Sequence, residues 1–304
     1  MIKQPFSALS PTPLQPAMNF FASSENVSRF CDTTAWNTWL WGDYLNASVF
    51  SSEGVMVLRR ESMDGVPTYT ALCPCPLKEK ALSALIKASE EKNEELCLFP
   101  LTEEEKDQLL AIYPDAIAEF SPDWRDYLYD ITALATFKGK KYNGQRNHLN
   151  RFRALYPDGG CVSLEDANRQ DALSFLNEFY GEGELSPAVA AERKKVTALI
   201  SSHPFSGQDN LYGFLVHNGE QVVALAIAEA VGDTLYVHAE KALRQCQGAY
   251  QAIVSGVASA FCNKGILYLN REEDDGNQGL RTSKLSYHPS SLLSKWRVTL
   301  KTEK

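Results

Sequence analysis

Three consecutive strand patterns in the last third of the chain constrain the fold more than any other feature. LYGFLVH (211–217), QVVALAIAEA (221–230) and TLYVHAE (234–240) are rich in β-branched, aromatic and other apolar residues. The dipeptides NG at 218–219 and GD at 232–233 separate them, and such pairs favour tight hairpin turns. Because turns this short join only antiparallel neighbours, the sequence predicts a three-stranded antiparallel meander.

A helix and a further strand follow this meander. Apolar residues recur at helical spacing after Gly248, and Gly265 is expected to end this helix before ILYLN (266–270) returns as a strand. The predicted inward face of the helix consists of Tyr250, Ile253, Val254, Val257 and Phe261. The second half therefore predicts meander, glycine turn, helix and strand.

The first half predicts a similar order of elements. VMVLRR (55–60) and TYTAL (68–72) form a hairpin around the Asp64-Gly65 turn, and a helix over 77–92 follows. A strand over 96–100 precedes a helix that Thr102 and Glu105 open as a capping box and that runs through Ile112, and 116–120 extends again. Two domains, 1–137 and 138–304, are therefore expected; one large mixed sheet is the alternative.

Two further helix starts are predicted in the second half. Ser163 is expected to cap one helix, and Ser186 followed by Pro187 is expected to open another, because proline suits the first helical position.

Composition and the N-terminus limit the class of protein. The chain has 304 residues and a net charge of -8, and it contains no apolar run of about 18 residues that could span a bilayer. The N-terminus is interrupted by Pro11, Pro13 and Pro16 and lacks the apolar core of a signal peptide. We therefore expect a soluble cytoplasmic protein without an integral membrane segment. Its oligomeric state is left open.

The seven cysteines predict neither disulfides nor a metal site. They are odd in number and lie singly among apolar residues, so we interpret them as reduced core thiols. Cys73-Pro74-Cys75 resembles a redox or metal motif, but no second cysteine pair lies near it and a structural role is preferred. No metal and no tightly bound cofactor are expected.

A basic segment stands out in this acidic chain. Residues 138–153, KGKKYNGQRNHLNRFR, contain lysine and arginine but no acid. A solvated helix face would explain the pattern, and so would contact with an anion, to which Lys141 and Arg146 would contribute. The overall negative charge argues against a long nucleic-acid footprint.

A run of acids marks a second candidate region. Glu272 to Asp275 follow an apolar strand, and Arg281 and Lys284 lie one helical step apart beyond them. Acyl transfer to an amine needs a base and donors to the carbonyl oxygen, which such residues supply. A salt-bridged surface loop is the alternative. Glu240 and Lys241 leave a core strand on opposite sides, so one of them is expected to point inward and need a partner.

The start of the helix at Gly248 is a third candidate. Unpaired N–H groups at a helix start bind phosphate, so Arg244, Gly248 and Ala249 are candidates to hold the pyrophosphate of a donor. Tyr250 could donate a proton to a leaving group, although a core aromatic residue is the alternative. His238 and His148 are interpreted as hydrogen-bonded structural residues.

Two segments carry a resemblance to a known family. VHAEKALRQCQGAYQ (237–251) and YLNREEDDGNQGLRTSKLSYHP (268–289), with the basic KKY-RN-F segment at 140–152, resemble cytoplasmic proteins related to the C-terminal domain of phosphatidylglycerol lysyltransferases. The similarity covers most of 127–297, with a looser tryptophan-rich similarity near 36–44.

The resemblance implies an α/β (α+β) fold of two tandem GNAT-like domains, with mixed sheets flanked by helices, as in Fem-type aminoacyltransferases. It implies an acyltransferase or aminoacyltransferase that moves an acyl group from acyl-CoA or aminoacyl-tRNA to an amine, hydroxyl or lipid acceptor. A non-catalytic protein that binds a nucleotide, lipid head group or cell-wall precursor is the alternative, and a scaffold is a third. The expected catalytic residues are Glu240, Tyr250, Glu273, Asp274 and Lys284, and the expected donor-binding residues are Lys141, Arg146, Arg244, Gly248, Ala249 and Arg281.

Overall fold

The computed structural model describes residues 2–5, 28–52, 55–72, 79–205, 207 and 209–301, which form fourteen strands and nine α-helices. The strands are β1 (Ile2–Pro5), β2 (Ser48–Ser52), β3 (Val55–Glu61), β4 (Pro67–Leu72), β5 (Leu96–Leu101), β6 (Ile117–Phe120), β7 (Asp126–Asp130), β8 (Gly160–Ser163), β9 (Leu211–His217), β10 (Val222–Val231), β11 (Thr234–Ala242), β12 (Tyr268–Asn270), β13 (Ser291–Leu293) and β14 (Trp296–Leu300). The helices are α1 (Ala35–Trp41), α2 (Glu79–Lys92), α3 (Glu103–Ile112), α4 (Ile131–Thr136), α5 (Asn143–Leu155), α6 (Arg169–Tyr180), α7 (Pro187–Ser202), α8 (Ala249–Phe261) and α9 (Gln278–Ser286).

Two compact units divide the chain, and neither is continuous in sequence. The first contains the residues up to Asp126, the segment Glu273–Gly276 and the residues from Leu293 onward. The second contains Tyr127–Glu272 and Asn277–Leu292. None of the described helices is long and apolar enough to cross a membrane.

The first unit is built on a seven-stranded sheet with the order β1-β2-β3-β4-β5-β14-β6. β3 and β4 pair antiparallel around the Asp64-Gly65 turn, which confirms the predicted hairpin. The capping box is also confirmed, because the Thr102 hydroxyl accepts the Glu105 N–H while the Glu105 carboxylate accepts the Thr102 N–H. α2 buries Ala81, Ala84, Leu85 and Ala88 in the apolar core of this sheet.

The second unit is built on another seven-stranded sheet, with the order β13-β7-β12-β11-β10-β9-β8. β9, β10 and β11 form the predicted antiparallel meander. β12 then pairs parallel to β11, and this order requires a crossover, which α8 supplies. The structure therefore has two mixed sheets flanked by helices, as the sequence predicted, rather than one undivided sheet.

Two predicted helix boundaries in the second unit differ from the structure. Ser163 ends β8 and caps no helix; α6 begins at Arg169, after a 3₁₀ turn over Asp166–Asn168. The Asn168 side chain accepts the Glu165 N–H and donates to the Ser163 carbonyl, so it fixes this turn and delays the helix. α8 ends at Phe261 rather than at Gly265, which lies beyond it with φ of 82°.

The expected division at residue 137 falls inside the second unit. β7 and α4 precede that residue, and β7 pairs with β12 in the second sheet. At the other end of the chain, β14 pairs with both β5 and β6 of the first sheet. Strand pairing of the last segment thus makes the first unit discontinuous.

Candidate functional site

Arg271 is the central cation of the second unit's candidate site. It follows β12 directly and is only 8% exposed. Its Nη2 donates to the Glu240 carboxylate on β11 at 2.6 Å. Its guanidinium carbon lies 4.6 Å from the ring centre of Tyr287 and 5.7 Å from that of Tyr129. An ion pair on one side and aromatic rings on the others therefore hold this guanidinium.

One nitrogen of Arg271 is left without a hydrogen bond. Nη1 is buried and has no partner among the described residues. A buried donor without an acceptor costs about 1–3 kcal/mol, so such a group needs a physical explanation. An oxygen-bearing ligand group, such as a carbonyl, carboxylate or phosphate, would satisfy it. Arg271 lies in the NREED motif of the sequence, but the predicted site residues of that motif were only the acids that follow it.

Tyr250 belongs to the same environment. Burial first, and then the charge of Glu240, raise the pKa of its phenol, while the Ala242 backbone, Arg244 and Arg271 act in the opposite direction. Tyr250 is half-buried at the start of α8. A phenol with a raised pKa keeps its proton at neutral pH, so Tyr250 is able to donate one. Glu240 and Arg271 are in contact, and the charges of both act on Tyr250.

Tyr129 and Tyr287, the two tyrosines beside Arg271, also keep their protons at neutral pH. Burial raises the pKa of both Tyr129 and Tyr287, while the charge of Arg271 opposes that rise. The Tyr129 hydroxyl donates to the Lys284 carbonyl at 2.9 Å, which ties α9 to β7.

Lys284 does not have the free amine that a catalytic role would need. Its Nζ donates to the carbonyl oxygens of Arg271, at 2.6 Å, and Glu272, at 3.2 Å, and it lies 5.5 Å above the Tyr127 ring. The side chain is buried, so these carbonyls replace water as its partners. Lys284 therefore fixes the backbone that carries Arg271.

His238 lies between two carboxylates. Its Nδ1 is 2.8 Å from the Glu272 carboxylate and its Nε2 is 2.9 Å from that of Glu229 on β10. Burial opposes the charged form, but these hydrogen bonds outweigh it and raise the pKa of His238 to about 9. The ring is an imidazolium at neutral pH, and the structural interpretation of this histidine is confirmed.

The first unit contains a separate buried cluster of charged residues. Lys295 Nζ contacts the carboxylate of Asp32, lies 2.6 Å from that of Asp126 and 3.1 Å from that of Glu273, and lies 3.5 Å from Cys31 Sγ. Lys295 and Asp126 are completely buried, whereas the Glu273 side chain is 27% exposed. The cluster therefore approaches the surface at Glu273.

The proton balance of this cluster follows from its charges. Asp32 is also paired with Arg60 at 2.5 Å, so three carboxylates face two permanent cations. Burial, and the charges of Glu273 and Asp32, raise the pKa of Asp126 to about 7 against the effect of Lys295. Burial acts to raise the pKa of Glu273 too, but Lys295 and hydrogen bonds from Asp126 and Cys31 hold it well below its usual range. Asp126 is therefore the carboxylate of this cluster that takes up a proton most readily.

The same cluster contains a thiol and carboxylates, which are groups that bind metal ions in other proteins. Ligand atoms of Cys31, Asp32, Asp126 and Glu273 lie within 4.8 Å of one another. Lys295 contacts all four of these side chains and supplies the positive charge that a metal would bring. Burial raises the pKa of the Cys31 thiol, as do the neighbouring carboxylates, so the thiolate that a metal requires is disfavoured. This arrangement is that of an internal ion cluster.

The predicted catalytic residues are divided between the units. Glu240, Tyr250 and Lys284 belong to the second unit around Arg271, whereas Glu273 and Asp274 belong to the first. Glu273 joins the ion cluster, and the buried Asp274 carboxylate accepts the Gly276 N–H at 3.0 Å. Adjacency in the chain predicted one shared site for these two acids.

The predicted donor-binding residues have different environments. The Arg146 guanidinium donates to the carbonyls of Phe137 and Gly139 and to the Asn143 side chain, which leaves it engaged with its own loop. Lys141 and Arg244 are exposed, whereas Arg281 lies partly buried on α9.

Gly248 is explained by packing against α5. It has φ of 83°, and a methyl group there would clash with the His148 carbonyl oxygen and lie 2.9 Å from Phe152 Cβ. The following residue, Ala249, is buried. A glycine is therefore required at this position without any ligand, and the predicted phosphate site at the start of α8 stays a prediction.

We expect Gly248→Ala to lower the free energy of unfolding by more than Gly265→Ala. Both glycines have positive φ, which costs alanine about 1 kcal/mol, but nothing lies within 4 Å of the added methyl at Gly265. Denaturant unfolding of both variants measures the difference. Equal losses would show that packing against α5 contributes nothing to the need for glycine.

Comparison with known proteins relates the chain to acyl and aminoacyl transferases. The family model for the phosphatidylglycerol lysyltransferase C-terminal region matches residues 27–299. A conserved protein of unknown function from Bacteroides thetaiotaomicron is 27% identical, with a TM-score of 0.82 over 97% of this chain and 99% of that one. The structure of L-PGS from Bacillus licheniformis has a TM-score of 0.67 at 12% identity, over 97% and 93% of the two chains.

A crystal structure of FemX has the same fold. The match covers 99% of this chain and 98% of the FemX chain, with a TM-score of 0.55 at 12% identity. Because the family model spans most of the sequence, the chain belongs to the phosphatidylglycerol lysyltransferase C-terminal family.

Proposed function

We propose that this protein transfers an acyl or aminoacyl group from acyl-CoA or aminoacyl-tRNA to an amine or hydroxyl acceptor, at a site formed by Arg271, Glu240 and Tyr250. The observation that carries the proposal is the buried Nη1 of Arg271, which has no hydrogen-bond partner among the described residues. Family membership and fold support the reaction class. The residues around Arg271 supply the remaining groups that acyl transfer needs.

Each of the three side chains has a distinct task in this proposal. Arg271 Nη1 donates to the carbonyl oxygen of the acyl group and stabilises the negative charge that develops there. Glu240 accepts the proton that the acceptor nitrogen or oxygen loses as it bonds to the carbonyl carbon. Tyr250 gives its proton to the thiolate or alkoxide of the departing donor, and proton exchange with solvent restores both groups.

The basic segment 138–153 supports a donor rich in phosphate. Lys138, Lys140, Lys141, Arg151 and Arg153 are exposed on the turn before α5 and on α5 itself. They are free to contact phosphates, in contrast to Arg146, whose donors its own loop uses. CoA and tRNA both offer such groups.

Transfer assays with a donor panel test the proposal. Purified protein is given acetyl-CoA, a long-chain acyl-CoA or a mixture of aminoacyl-tRNAs, with lysine, glycerol or phosphatidylglycerol vesicles as acceptors. We expect Tyr250→Phe to lower kcat about 10²-fold with little change in KM, because the lost proton is needed only in the transition state.

Tyr180→Phe is the matched control for Tyr250→Phe. Tyr180 is a buried phenol of the same unit that donates to a carboxylate, that of Glu192, at 3.1 Å. Its loss should leave kcat unchanged. Equal kcat values in wild type, Tyr250→Phe and Tyr180→Phe would exclude Tyr250 as the acid.

A non-catalytic binding protein is the second candidate. Lys284 and Arg146 were both predicted to act on substrate or donor, but both side chains donate hydrogen bonds to main-chain carbonyls of the protein. This observation favours binding without catalysis. Under this alternative, a donor from the panel raises the melting temperature and Arg271→Gln abolishes that shift, but no acceptor in the panel becomes acylated.

A further inference from the structure

The buried row Glu229, His238 and Glu272 has no task in the proposed reaction. Its side chains are 5%, 0% and 14% exposed, and the ring nitrogens of His238 join the two carboxylates at 2.9 and 2.8 Å. A buried imidazolium is stable only when it is paired with opposite charge, so the ring of His238 and both carboxylates must lie together. Glu229 comes from β10 and His238 from β11, but Glu272 comes from the loop that begins at Arg271.

The backbone at Glu272 adopts a conformation that needs support. Its φ is 58°, which few residues other than glycine, asparagine and aspartate adopt. The Asn270 side chain accepts the Glu272 N–H at 2.7 Å, and Lys284 Nζ donates to the carbonyls on both sides of this turn. His238 holds the Glu272 side chain itself. Together these contacts fix the residue that directly follows Arg271.

We propose that His238 is a positioning residue for Arg271, acting through its hydrogen bond to Glu272 with Glu229 as its counter-ion. The inference rests on the proposed function only for the task that it gives to Arg271. If the ring loses its proton, only one of its two nitrogens carries hydrogen, so one carboxylate loses its hydrogen bond from the ring. Glu272 is the more exposed of the two carboxylates and belongs to a loop, whereas Glu229 belongs to a central strand, so the hydrogen bond to Glu272 is the one that breaks.

The pH range of this effect follows from the geometry and charges. Glu229 and Glu272 are the charged groups that contact the ring nitrogens, and both favour the imidazolium. The pKa of His238, about 9, is above its ordinary value of 6.5. The hydrogen bond from the charged His238 ring to Glu272 therefore stabilises the turn fully below about pH 6.5 and is lost as the pH rises through about 9.

Glu229→Gln tests the inference without touching Arg271 or Glu272. NMR titration reports the ionisation of His238, and ¹³C-detected guanidinium signals report the surroundings of Arg271. In wild type, we expect the Arg271 signals to shift with the same midpoint as His238. In Glu229→Gln, the pKa of His238 should fall by about one unit or more, because an ion-paired carboxylate has become neutral, and the Arg271 midpoint should fall with it.

Glu192→Gln is the matched control. Glu192 is a mostly buried carboxylate of the same unit, paired with Lys241 at 2.8 Å, and its loss should leave both midpoints unchanged. Arg271 signals that do not change while His238 titrates, or that keep the wild-type midpoint in Glu229→Gln, would overturn the inference.

A second variant keeps the test usable if Glu229→Gln does not fold. Glu229→Gln/His238→Gln replaces the ion pair with two neutral amides, and we expect its Arg271 signals to show no transition near pH 9. A transition that persists in this double variant also overturns the inference. Transfer activity is not measured in either experiment, so a failure of the proposed function and a failure of this inference are distinguishable.

Discussion

The Arg271→Lys variant is expected to lose transfer activity by about 10²- to 10³-fold while it remains folded. A lysine ammonium can still pair with Glu240, so the buried carboxylate keeps a counter-ion. It has no planar second nitrogen to place where Nη1 of Arg271 lies, so the transition-state oxygen loses its donor. The measurement is kcat/KM with the donor and acceptor that wild type uses, together with the denaturation midpoint.

Arg59→Lys is the matched control for Arg271→Lys. Arg59 is also buried, but all three of its guanidinium nitrogens are used, by Glu94, Glu61 and the Asn46 carbonyl. Its replacement should lower stability and leave transfer unchanged, which is the reverse of the expectation for Arg271. If Arg271→Lys keeps wild-type kcat/KM, the unpaired nitrogen does not contact the reacting group.

Local sequence patterns were sufficient for the meander and for the capping box at Thr102. The turns at 218–219 and 232–233 fix strand pairing between neighbours in the chain, and the Thr102–Glu105 box spans a single helical turn. The delayed start of α6 was missed because Asn168 and Glu165 form a second capping box, and the prediction used only Ser163. The side chain of Asn168 is used by this turn and makes no capping hydrogen bond to α6.

The candidate sites depend on contacts between distant parts of the chain. Arg271 and Glu240 are 31 residues apart, and Cys31 and Lys295 are 264 residues apart. No periodicity in the sequence predicts such pairs. The sequence placed Glu272, Glu273 and Asp274 in one acid run, but side chains that follow one another after a strand point in different directions. Glu272 therefore pairs with His238, while Glu273 joins Lys295.

Lys284 shows a second limit of sequence reasoning. Its position near the acid run suggested an ion pair, but the turn at Arg271 and Glu272 leaves two main-chain carbonyls facing α9. Buried carbonyls need donors as much as carboxylates do. A sequence does not show which backbone carbonyls lack a hydrogen-bond donor, because that depends on the path of the folded chain. The sequence therefore could not distinguish a catalytic lysine from a positioning one.

The largest effect on stability is expected at Lys295 in the first unit. Lys295→Met should lower the free energy of unfolding by about 3–5 kcal/mol, because it removes the buried ammonium that contacts the carboxylates of Asp32, Asp126 and Glu273. Denaturant unfolding measures the loss. Lys106→Met is the control: Lys106 pairs with the exposed Asp107, and such a pair contributes less than about 1 kcal/mol.

The pH dependence of the Lys295→Met defect distinguishes lost charge from lost packing. Without Lys295, the buried carboxylates have raised pKa values in the folded state, so folding binds protons and stability falls as pH rises. The defect should therefore be greatest near about pH 8 and shrink toward about pH 5, where protons take the place of the missing ammonium. Methionine fills most of the lysine stem's volume, so a packing defect would be nearly independent of pH. A loss of the same size at both pH values would show that the cluster does not depend on the charge of Lys295.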